Sequence, residues 1–370
     1  MAPIRIGFIG LSAKGWAATA LVNPLFDPLL ASSYSLTALC TTSETSAHAA
    51  AEKYSKLAGH GVKAYFGEDG VHAIARDPDV DLVAISVKMP QHFKTVMPAI
   101  EAEKDIFIEW TPGVTYEDTV KIAEAAKRKG VRVLVGAQGI QSQAMKKLLS
   151  SPAAPDTTIW TDKVDAATLY TYDVKNGASP LAVPVGHFLT IFTDILGDFA
   201  EVTASGAIQY PTAEMLGTDG KPTGEIITKT VHDQVALSGV LASKDGKPGT
   251  FYNLHIRAAL PLSGEYGKGR TGFKWIIDGE FGTIEVQNKE ENGAWGAFVT
   301  MAEPRVLLNS EEVKVESIEA DRLGNPGKAW LEFAKGKDGV YWDIEKTVAV
   351  HRVLDAALTS IQEGRRISLS

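Results

Sequence analysis

The sequence predicts an α/β domain with a parallel sheet at its N-terminal end, followed by an α+β domain whose sheet is mostly antiparallel and open on one face. Two observations predict this division. Over the first 136 residues, short apolar runs alternate with longer segments of helical periodicity, and such strands and helices form right-handed βαβ units. After about residue 150, segments of alternating polarity are separated by Gly-rich turns, which is typical of antiparallel strands.

The elements of the first domain follow from these patterns in chain order. Nearly continuous apolar runs, as buried parallel strands require, predict strands at 4–9, 36–39, 81–86, 106–108 and 131–135. Helical periodicity predicts helices from about residue 14 and at 44–54, 92–102 and 116–129. These elements place a first domain at residues 1–147.

The second domain is predicted at residues 148–340. A Ser/Pro/Ala linker at 151–155 leads into strands at 166–172, 226–237 and 250–257, with a turn at 244–249 and a long helix at 184–196. The last segment, 341–370, holds an amphipathic helix at 342–362 that we expect to pack back on the first domain.

Composition excludes several classes of protein. The net charge of −8 argues against a nucleic-acid surface, because phosphate binding requires a basic one. The single cysteine, Cys40, fits a reducing compartment. The sequence has no run of eighteen apolar residues, so no membrane span is predicted. We therefore expect a cytoplasmic protein, or a nuclear one if it regulates transcription. Metal-binding motifs such as H-E-x-x-H and C-x-x-C do not occur, so no metal site is expected.

The segment from Gly10 to Gly15 has the six-residue frame G-x-G-x-x-G, with Ser12 at the second glycine position. The first glycine allows a tight turn, a small second residue lets the backbone approach a pyrophosphate, and a small third residue lets the helix pack on the strand. The Ser12 hydroxyl could also donate to phosphate. Because the loop follows a strand and precedes a predicted helix, it indicates a nicotinamide dinucleotide site of the Rossmann type, and a turn without a ligand is the alternative.

The end of the second strand selects between NAD and NADP in such folds. An acidic residue there favours NAD, but this chain has Thr41, Thr42 and Ser43, with no carboxylate before Glu44. Three hydroxyl groups favour the 2′-phosphate of NADP, while NAD stays possible because no basic residue adjoins them. The same residues could also simply cap the next helix.

Several segments together resemble the glucose–fructose oxidoreductase, inositol dehydrogenase and MocA-like family over nearly the whole chain. These segments are the strand and loop at 6–15, the strand and turn at 80–92, the strand end at 108–112, Gly186-His187 on the central helix, and the segment at 362–366 near the end of the sequence. Gly10 to Trp16 followed by Glu109-Trp110 is most similar to the fungal galactose-regulon co-repressor branch. That branch binds NADP and a transcription activator on this fold rather than performing redox chemistry.

The loop, the strand ends and the resemblance imply one set of cofactor-binding residues. This set is Gly10, Leu11, Ser12, Ala13, Lys14, Gly15, Trp16, Thr41, Thr42, Ser43, Val87, His92, Glu109, Trp110 and Gln138.

The resemblance also implies which catalytic groups are missing. Family dehydrogenases usually carry Glu-Lys-Pro where this chain has Glu109-Trp110-Thr111, so the lysine is absent. They also place an Asp four residues before the helical His and another three residues after it, where this chain has Val183 and Thr190. The candidate catalytic residue that remains is His187, as a general acid or base.

Each of these candidates has a simpler structural interpretation. His187 could be a buried core histidine, Trp110 a core aromatic rather than a stacking partner of the nicotinamide, and His92 a surface residue at a helix start.

Three functions stay open from the sequence. The first is an NAD(P)-dependent oxidoreductase acting on a sugar-like or polyol-like alcohol or carbonyl. The second is an NADP-binding co-regulator with a protein partner, and the third is a non-redox lyase or isomerase. A small-molecule substrate and a homo-oligomer, a dimer or a tetramer, are expected, because an open apolar sheet face favours pairing.

Overall fold

A computed structural model describes residues 2–147, 160–243, 249–258, 272–288 and 303–369. The predicted linker at 151–155 and residues 244–248 of the predicted turn lie outside the described residues. The strands are β1 (Ile4–Ile9), β2 (Tyr34–Thr41), β3 (Lys63–Phe66), β4 (Leu82–Ile85), β5 (Asp105–Glu109), β6 (Val133–Gly136), β7 (Lys163–Val164), β8 (Glu201–Ala207), β9 (Thr212–Leu216), β10 (Pro222–Thr228), β11 (Gln234–Val240), β12 (Phe251–Arg257), β13 (Lys274–Gly279), β14 (Gly282–Gln287), β15 (Arg305–Leu308), β16 (Glu311–Glu312) and β17 (Ile367–Ser368). The α-helices are α1 (Pro28–Ala31), α2 (Glu44–Ala58), α3 (Gly67–Arg76), α4 (His92–Glu101), α5 (Tyr116–Lys129), α6 (Gln143–Lys147), α7 (Gly186–Leu196), α8 (Gly324–Ala334) and α9 (Ile344–Glu363).

The chain divides into two compact units. The first contains the residues up to Gln141 together with Ile318–Val348, and the second contains Ser142–Ser317 and Ala349–Ser370. The domain boundaries at 147 and 340, and the packing of the last helix on the first domain, stay predictions.

The first unit is built on a six-stranded parallel sheet with the order β3-β2-β1-β4-β5-β6. This confirms the predicted parallel α/β architecture. The sequence pattern did not predict β3 or α3, because the four residues of β3 are exposed or half-buried and lack the apolar run of a central strand.

The segment after β1 differs from the predicted helix. It forms a five-residue π-helix, Ala17–Leu21, and a 3₁₀ turn, Asn23–Phe26, rather than an α-helix from about Lys14. Pro24 and Pro28 explain the short length, because proline cannot donate the hydrogen bonds that continue a helix.

Helix α8 covers the sheet near this short segment. Trp330 of α8 is 1% exposed, packs against Phe107 of β5 at 4.8 Å between ring centroids, and lies edge-on to Tyr34 of β2 at 5.5 Å. Its indole N–H donates to the carbonyl of Leu21 over 3.1 Å. A segment from near the end of the chain therefore completes the core of the N-terminal unit.

The described residues of the second unit form three sheets with the orders β10-β9-β7, β12-β11-β8-β17 and β13-β14-β15-β16. Every pair is antiparallel except β7 with β9. Buried and exposed residues alternate strictly along β12, so one face of its sheet packs inward and the other is open. The predicted α+β architecture is confirmed.

An aromatic cluster packs α7 against these strands. Phe188 lies edge-on to Trp275 of β13 at 5.1 Å, and Phe192 lies edge-on to Tyr252 of β12 at 6.0 Å. The side chains are four residues apart on one face of the helix, so one apolar stripe of α7 contacts both strands.

Two predicted strands of the second unit are wrong in detail. The last four residues of the predicted strand at 166–172 form a 3₁₀ turn instead, Leu169–Tyr172. Its backbone amides donate to the carbonyls of Asp165 and Thr168. The predicted strand at 226–237 is divided between β10 and β11, which belong to different sheets. The division falls at Lys229 to Asp233, where the buried Lys229 and Asp233 side chains bond to backbone groups of neighbouring segments.

One described segment, Val174–Leu196, is long and apolar enough to cross a membrane by length and composition alone. Its most apolar window is 61% buried inside the protein, and the core helix of a soluble protein meets the same criterion.

Candidate cofactor site

Gly10 follows β1 in a conformation that only glycine accommodates there. Its φ is +89°, and a Cβ at this position would overlap the carbonyl oxygen of Ser86, which follows β4. Its N–H donates to the carbonyl of Cys40 over 2.8 Å. Gly10 therefore fixes the start of the loop between the ends of β2 and β4.

The backbone amides of the next five residues point to an anion site. The N–H groups of Leu11, Ser12, Ala13, Lys14 and Gly15 donate no hydrogen bond to any residue that the structure describes. Consecutive loop amides of this kind form an anion-binding concavity, and the site lies at the carboxyl end of a parallel sheet, where α/β proteins bind ligands. The arrangement fits the pyrophosphate of a dinucleotide.

The carbonyl side of the loop is held by α2. The Tyr54 hydroxyl donates to the carbonyl of Ser12 over 3.0 Å, and Lys53 Nζ donates to that of Ala13 over 2.9 Å. The Ser12 hydroxyl donates to the carbonyl of Lys14. Sequence reasoning missed Lys53 and Tyr54, because they lie about forty residues from the loop in the chain.

Gly15 is required for a different reason from the one the sequence suggested. Its φ is +100°, but a Cβ there would meet no atom within 4 Å. The glycine thus allows the backbone conformation and is not needed for close packing between helix and strand.

At the end of β2 the three hydroxyl residues have different roles. Thr41 is 8% exposed, and its hydroxyl donates to the Ser43 carbonyl over 3.1 Å. Ser43 caps α2, with its Oγ accepting from the amide of Ser46. Thr42 and Ser43 are both exposed, and Thr42 is the one of the three whose side chain makes no hydrogen bond with a described residue.

Trp16 and Glu109 are brought together although they are far apart in the sequence. Trp16 Nε1 donates to Glu109 Oε1 over 2.9 Å. The Glu109 side chain is only partly buried as a whole, but loss of solvent around its carboxyl raises the pKa to about 7, against the hydrogen bonds from Trp16 and the Trp110 amide.

His92 is part of the scaffold of this edge. It is 1% exposed, its Nδ1 lies 2.7 Å from the Thr111 carbonyl, and its Nε2 lies 3.0 Å from the Val87 carbonyl. Burial lowers its pKa despite these two carbonyls. The ring ties the turn after β4 to the turn after β5, so it is not the surface histidine that the sequence allowed as an alternative.

Trp110 fills the position of the family lysine with a buried ring. It is 5% exposed, and the peptide bond between Trp110 and Thr111 is cis. An indole has no proton to exchange near neutral pH, so this position cannot supply the proton transfer that a lysine would.

Gln138 follows β6 and is 3% exposed, and its side-chain nitrogen has no hydrogen-bond partner among the described residues. A buried amide without a partner costs free energy unless a ligand or water satisfies it. This orphaned donor also fits a polar ligand at this edge of the sheet.

His187 belongs to the second unit, at the start of α7. Burial lowers its pKa to about 4, so its imidazole is neutral at physiological pH. Thr190, at the position of a family Asp, is fully buried, and its hydroxyl donates to the backbone carbonyl of His187 over 2.7 Å.

Comparison with known proteins assigns both parts of the chain. Residues 4–137 match the model of the oxidoreductase family with an NAD-binding Rossmann fold, and residues 132–288 match the model of the Gal80p C-terminal domain. Dehydrogenase aclE of Aspergillus oryzae is 27% identical over 390 aligned positions, which cover 98% of this chain and 97% of that protein.

Regulatory proteins are similar as well. The galactose/lactose metabolism regulatory protein GAL80 of Saccharomyces cerevisiae is 24% identical over 78% of this chain and 69% of its own length. The crystal structure of a super-repressor mutant of Gal80p from the same organism superposes with a TM-score of 0.81 at 20% identity, covering 100% of this chain and 99% of that one. Residues 4–137 therefore belong to the oxidoreductase family of glucose–fructose oxidoreductase, inositol dehydrogenase and MocA, and residues 132–288 are similar to the C-terminal domain of Gal80p.

Proposed function

We propose that this protein binds NADP at the loop from Gly10 to Trp16 and acts as an oxidoreductase on a sugar-like or polyol-like alcohol or its carbonyl form. The observation that carries the proposal is the run of five loop amides without a partner among the described residues. Such a run is costly in a folded protein unless a ligand or solvent accepts the hydrogen bonds, and a pyrophosphate accepts several at once.

The preference for NADP rests on the end of β2. No carboxylate is present there to bond the 2′-hydroxyl and repel a 2′-phosphate, and the exposed Thr42 can donate to phosphate instead. Lys53, held on the Ala13 carbonyl, adds positive charge beside the loop. We expect Thr42→Asp to shift the ratio of NADP to NAD affinity at least tenfold toward NAD, because like charges then face each other.

Thr41→Asp is a weaker test of the same idea, because Thr41 is buried and its variant would perturb the fold. Binding of both cofactors to wild type and Thr42→Asp by isothermal titration decides the point. Tighter binding of NAD by the wild type would contradict the NADP assignment.

The chemical step needs a proton acceptor from the chain. A bound nicotinamide supplies the hydride acceptor or donor. We propose that His187 accepts the hydroxyl proton, because Trp110 and Val183 have no group that can. A pKa of about 4 leaves its imidazole neutral at pH 7 but makes it a weak base, so the assignment rests on the lack of an acceptor at those two positions and not on the basicity of His187.

The test is a screen of NADP reduction and NADPH oxidation across aldoses, polyols and small ketones, repeated with His187→Ala. Turnover should fall roughly 10²- to 10⁴-fold in the variant, with cofactor affinity nearly unchanged. Equal activity of wild type and variant on a confirmed substrate would remove His187 from the mechanism.

A second candidate is a cofactor-bound regulator that acts through a protein partner. The buried Trp110 in place of the lysine favours it, as does the similarity of residues 132–288 to the Gal80p C-terminal domain. This function predicts NADP binding with no turnover on any compound of the screen, so the same experiment separates the two.

A further inference from the structure

The indole of Trp16 combines exposure with a fixed orientation. It is 40% exposed on the loop proposed to bind the cofactor, yet its one polar atom is bonded to Glu109. An exposed aromatic ring on a loop normally samples several rotamers, and this hydrogen bond restricts them.

The acceptor in this pair has unusual surroundings. Its carboxyl accepts hydrogen bonds from the Trp16 indole N–H on the loop and from the amide of Trp110, which follows β5, and its Oε2 faces Gly136 of β6. A Cβ at Gly136 would overlap Oε2, so the glycine leaves the space in which the carboxyl lies. Among the described residues, no charged group on these elements affects the carboxyl, and desolvation is its largest influence.

We propose that Glu109 is a positioning residue whose ionised carboxylate anchors Trp16 at the mouth of the cofactor loop, and that protonation of Glu109 loosens this anchor. The proposal rests on the proposed cofactor site, which it extends by naming what orders that site. The loop amides are then most accessible to the pyrophosphate when Glu109 is charged.

The sign of the pH effect follows from the hydrogen bond. An indole N–H bonds more strongly to a carboxylate than to a neutral carboxyl, roughly by a factor of two in energy. The carboxyl titrates at about pH 7, so the anchor is strong at pH 8 and weak at pH 6. Burial lowers the pKa of His92, which moves its titration toward the acidic side of this range and away from pH 8.

The first measurement examines the anchor without cofactor. ¹⁹F NMR of the full chain labelled with 5-fluorotryptophan, with the Trp16 signal assigned by its loss in Trp16→Phe, follows the indole from pH 5 to 9. The signal should shift with a midpoint near pH 7 in wild type and in the control Glu124→Gln, which alters an exposed carboxylate of α5. It should not titrate in Glu109→Gln, and a midpoint that persists in that variant would overturn the proposal.

The second measurement is NADP affinity by isothermal titration. Between pH 8 and pH 6 the affinity of wild type should fall about threefold more than that of Glu109→Gln, which keeps an acceptor but cannot ionise. In the Trp16→Phe background, Glu109→Gln should change this pH profile no further. Two outcomes would overturn the proposal. One is that Trp16→Phe and Glu109→Gln change the pH profile of NADP affinity independently of each other. The other is that wild type, compared with Glu109→Gln, binds NADP more tightly at pH 6 than at pH 8.

These readouts separate the two proposals. If NADP does not bind to any of the proteins while the Trp16 signal titrates through Glu109, the proposed function fails and the anchor stands. If NADP binds with a pH profile that ignores Glu109, the cofactor site stands and the anchor fails.

Discussion

The two edges of the six-stranded parallel sheet differ in how completely their polar groups are satisfied. At the amino edge, Arg5 pairs with Asp81 at 2.7 Å and Arg132 with Asp105 at 2.6 Å. At the carboxyl edge, five loop amides and the nitrogen of Gln138 have no partner among the described residues.

A third acidic residue at the amino edge, Asp77, is also fully supplied with hydrogen-bond donors from within the protein. The Asp77 side chain is 1% exposed and accepts hydrogen bonds from Lys63, from the Tyr65 hydroxyl and from the Asp79 amide. Burial opposes ionisation of Asp77, but these bonds hold its pKa below the ordinary value. The difference between the edges separates stability from the proposed function: the amino edge stabilises the fold through its own ion pairs, whereas we propose that a bound cofactor completes the carboxyl edge.

The largest expected effect comes from a substitution of Gly10, the first residue of the loop at the carboxyl edge. Gly10→Val should lower the free energy of unfolding by about 3 kcal/mol or more, because φ is positive and the side chain meets the Ser86 carbonyl. The matched control is Gly15→Ala, which has the positive φ without the overlap and should lose only about 1 kcal/mol. Urea denaturation measures both, and equal losses would show that conformation alone matters at Gly10.

The second effect breaks the amino edge. Lys63→Met should cost about 2 kcal/mol, because it leaves the buried Asp77 carboxylate with fewer donors, and less than a fully buried pair because Lys63 is 45% exposed. The ion pair between Lys63 and Asp77 stabilises the fold at neutral pH, and this stabilisation is lost as the pH falls through the lowered pKa of Asp77. Lys56→Met, in an exposed pair on α2, should change stability little. NADP affinity should not change in either variant, and a loss in Lys63→Met would contradict the separation of the two edges.

The third substitution, also at the carboxyl edge, should raise the free energy of unfolding, whereas the first two should lower it. Glu109→Gln should stabilise the protein without cofactor by about 2 kcal/mol above pH 7, because a carboxyl that titrates at about 7 when folded and near 4.3 when unfolded opposes folding once ionised. Below about pH 4 the gain should vanish, since both states then hold the proton. Denaturation at pH 4, 6 and 8 tests this, and a pH-independent effect would exclude desolvation of the carboxyl as its cause.

The sequence predicted the features that depend on local pattern. The parallel strands, α5 with its bounds of Tyr116–Lys129 and the unusual loop after β1 all follow from apolar runs, periodicity and glycine spacing. The anchors of that loop did not follow, because Tyr54, Lys53 and Glu109 reach it from distant parts of the chain. The roles of Thr41 and His92 depended on burial and on which carbonyl each side chain meets, and no sequence pattern reports either.

The position of Trp330 has a consequence for synthesis of the protein. The first strand leaves the ribosome early, but the residue that covers the sheet beside β2 and β5 is made more than three hundred residues later. At ordinary translation rates the nascent N-terminal unit waits roughly 10–40 s after Gln141 for its last helices. During that interval its apolar sheet face is exposed, so chaperones should hold this chain until translation is nearly complete.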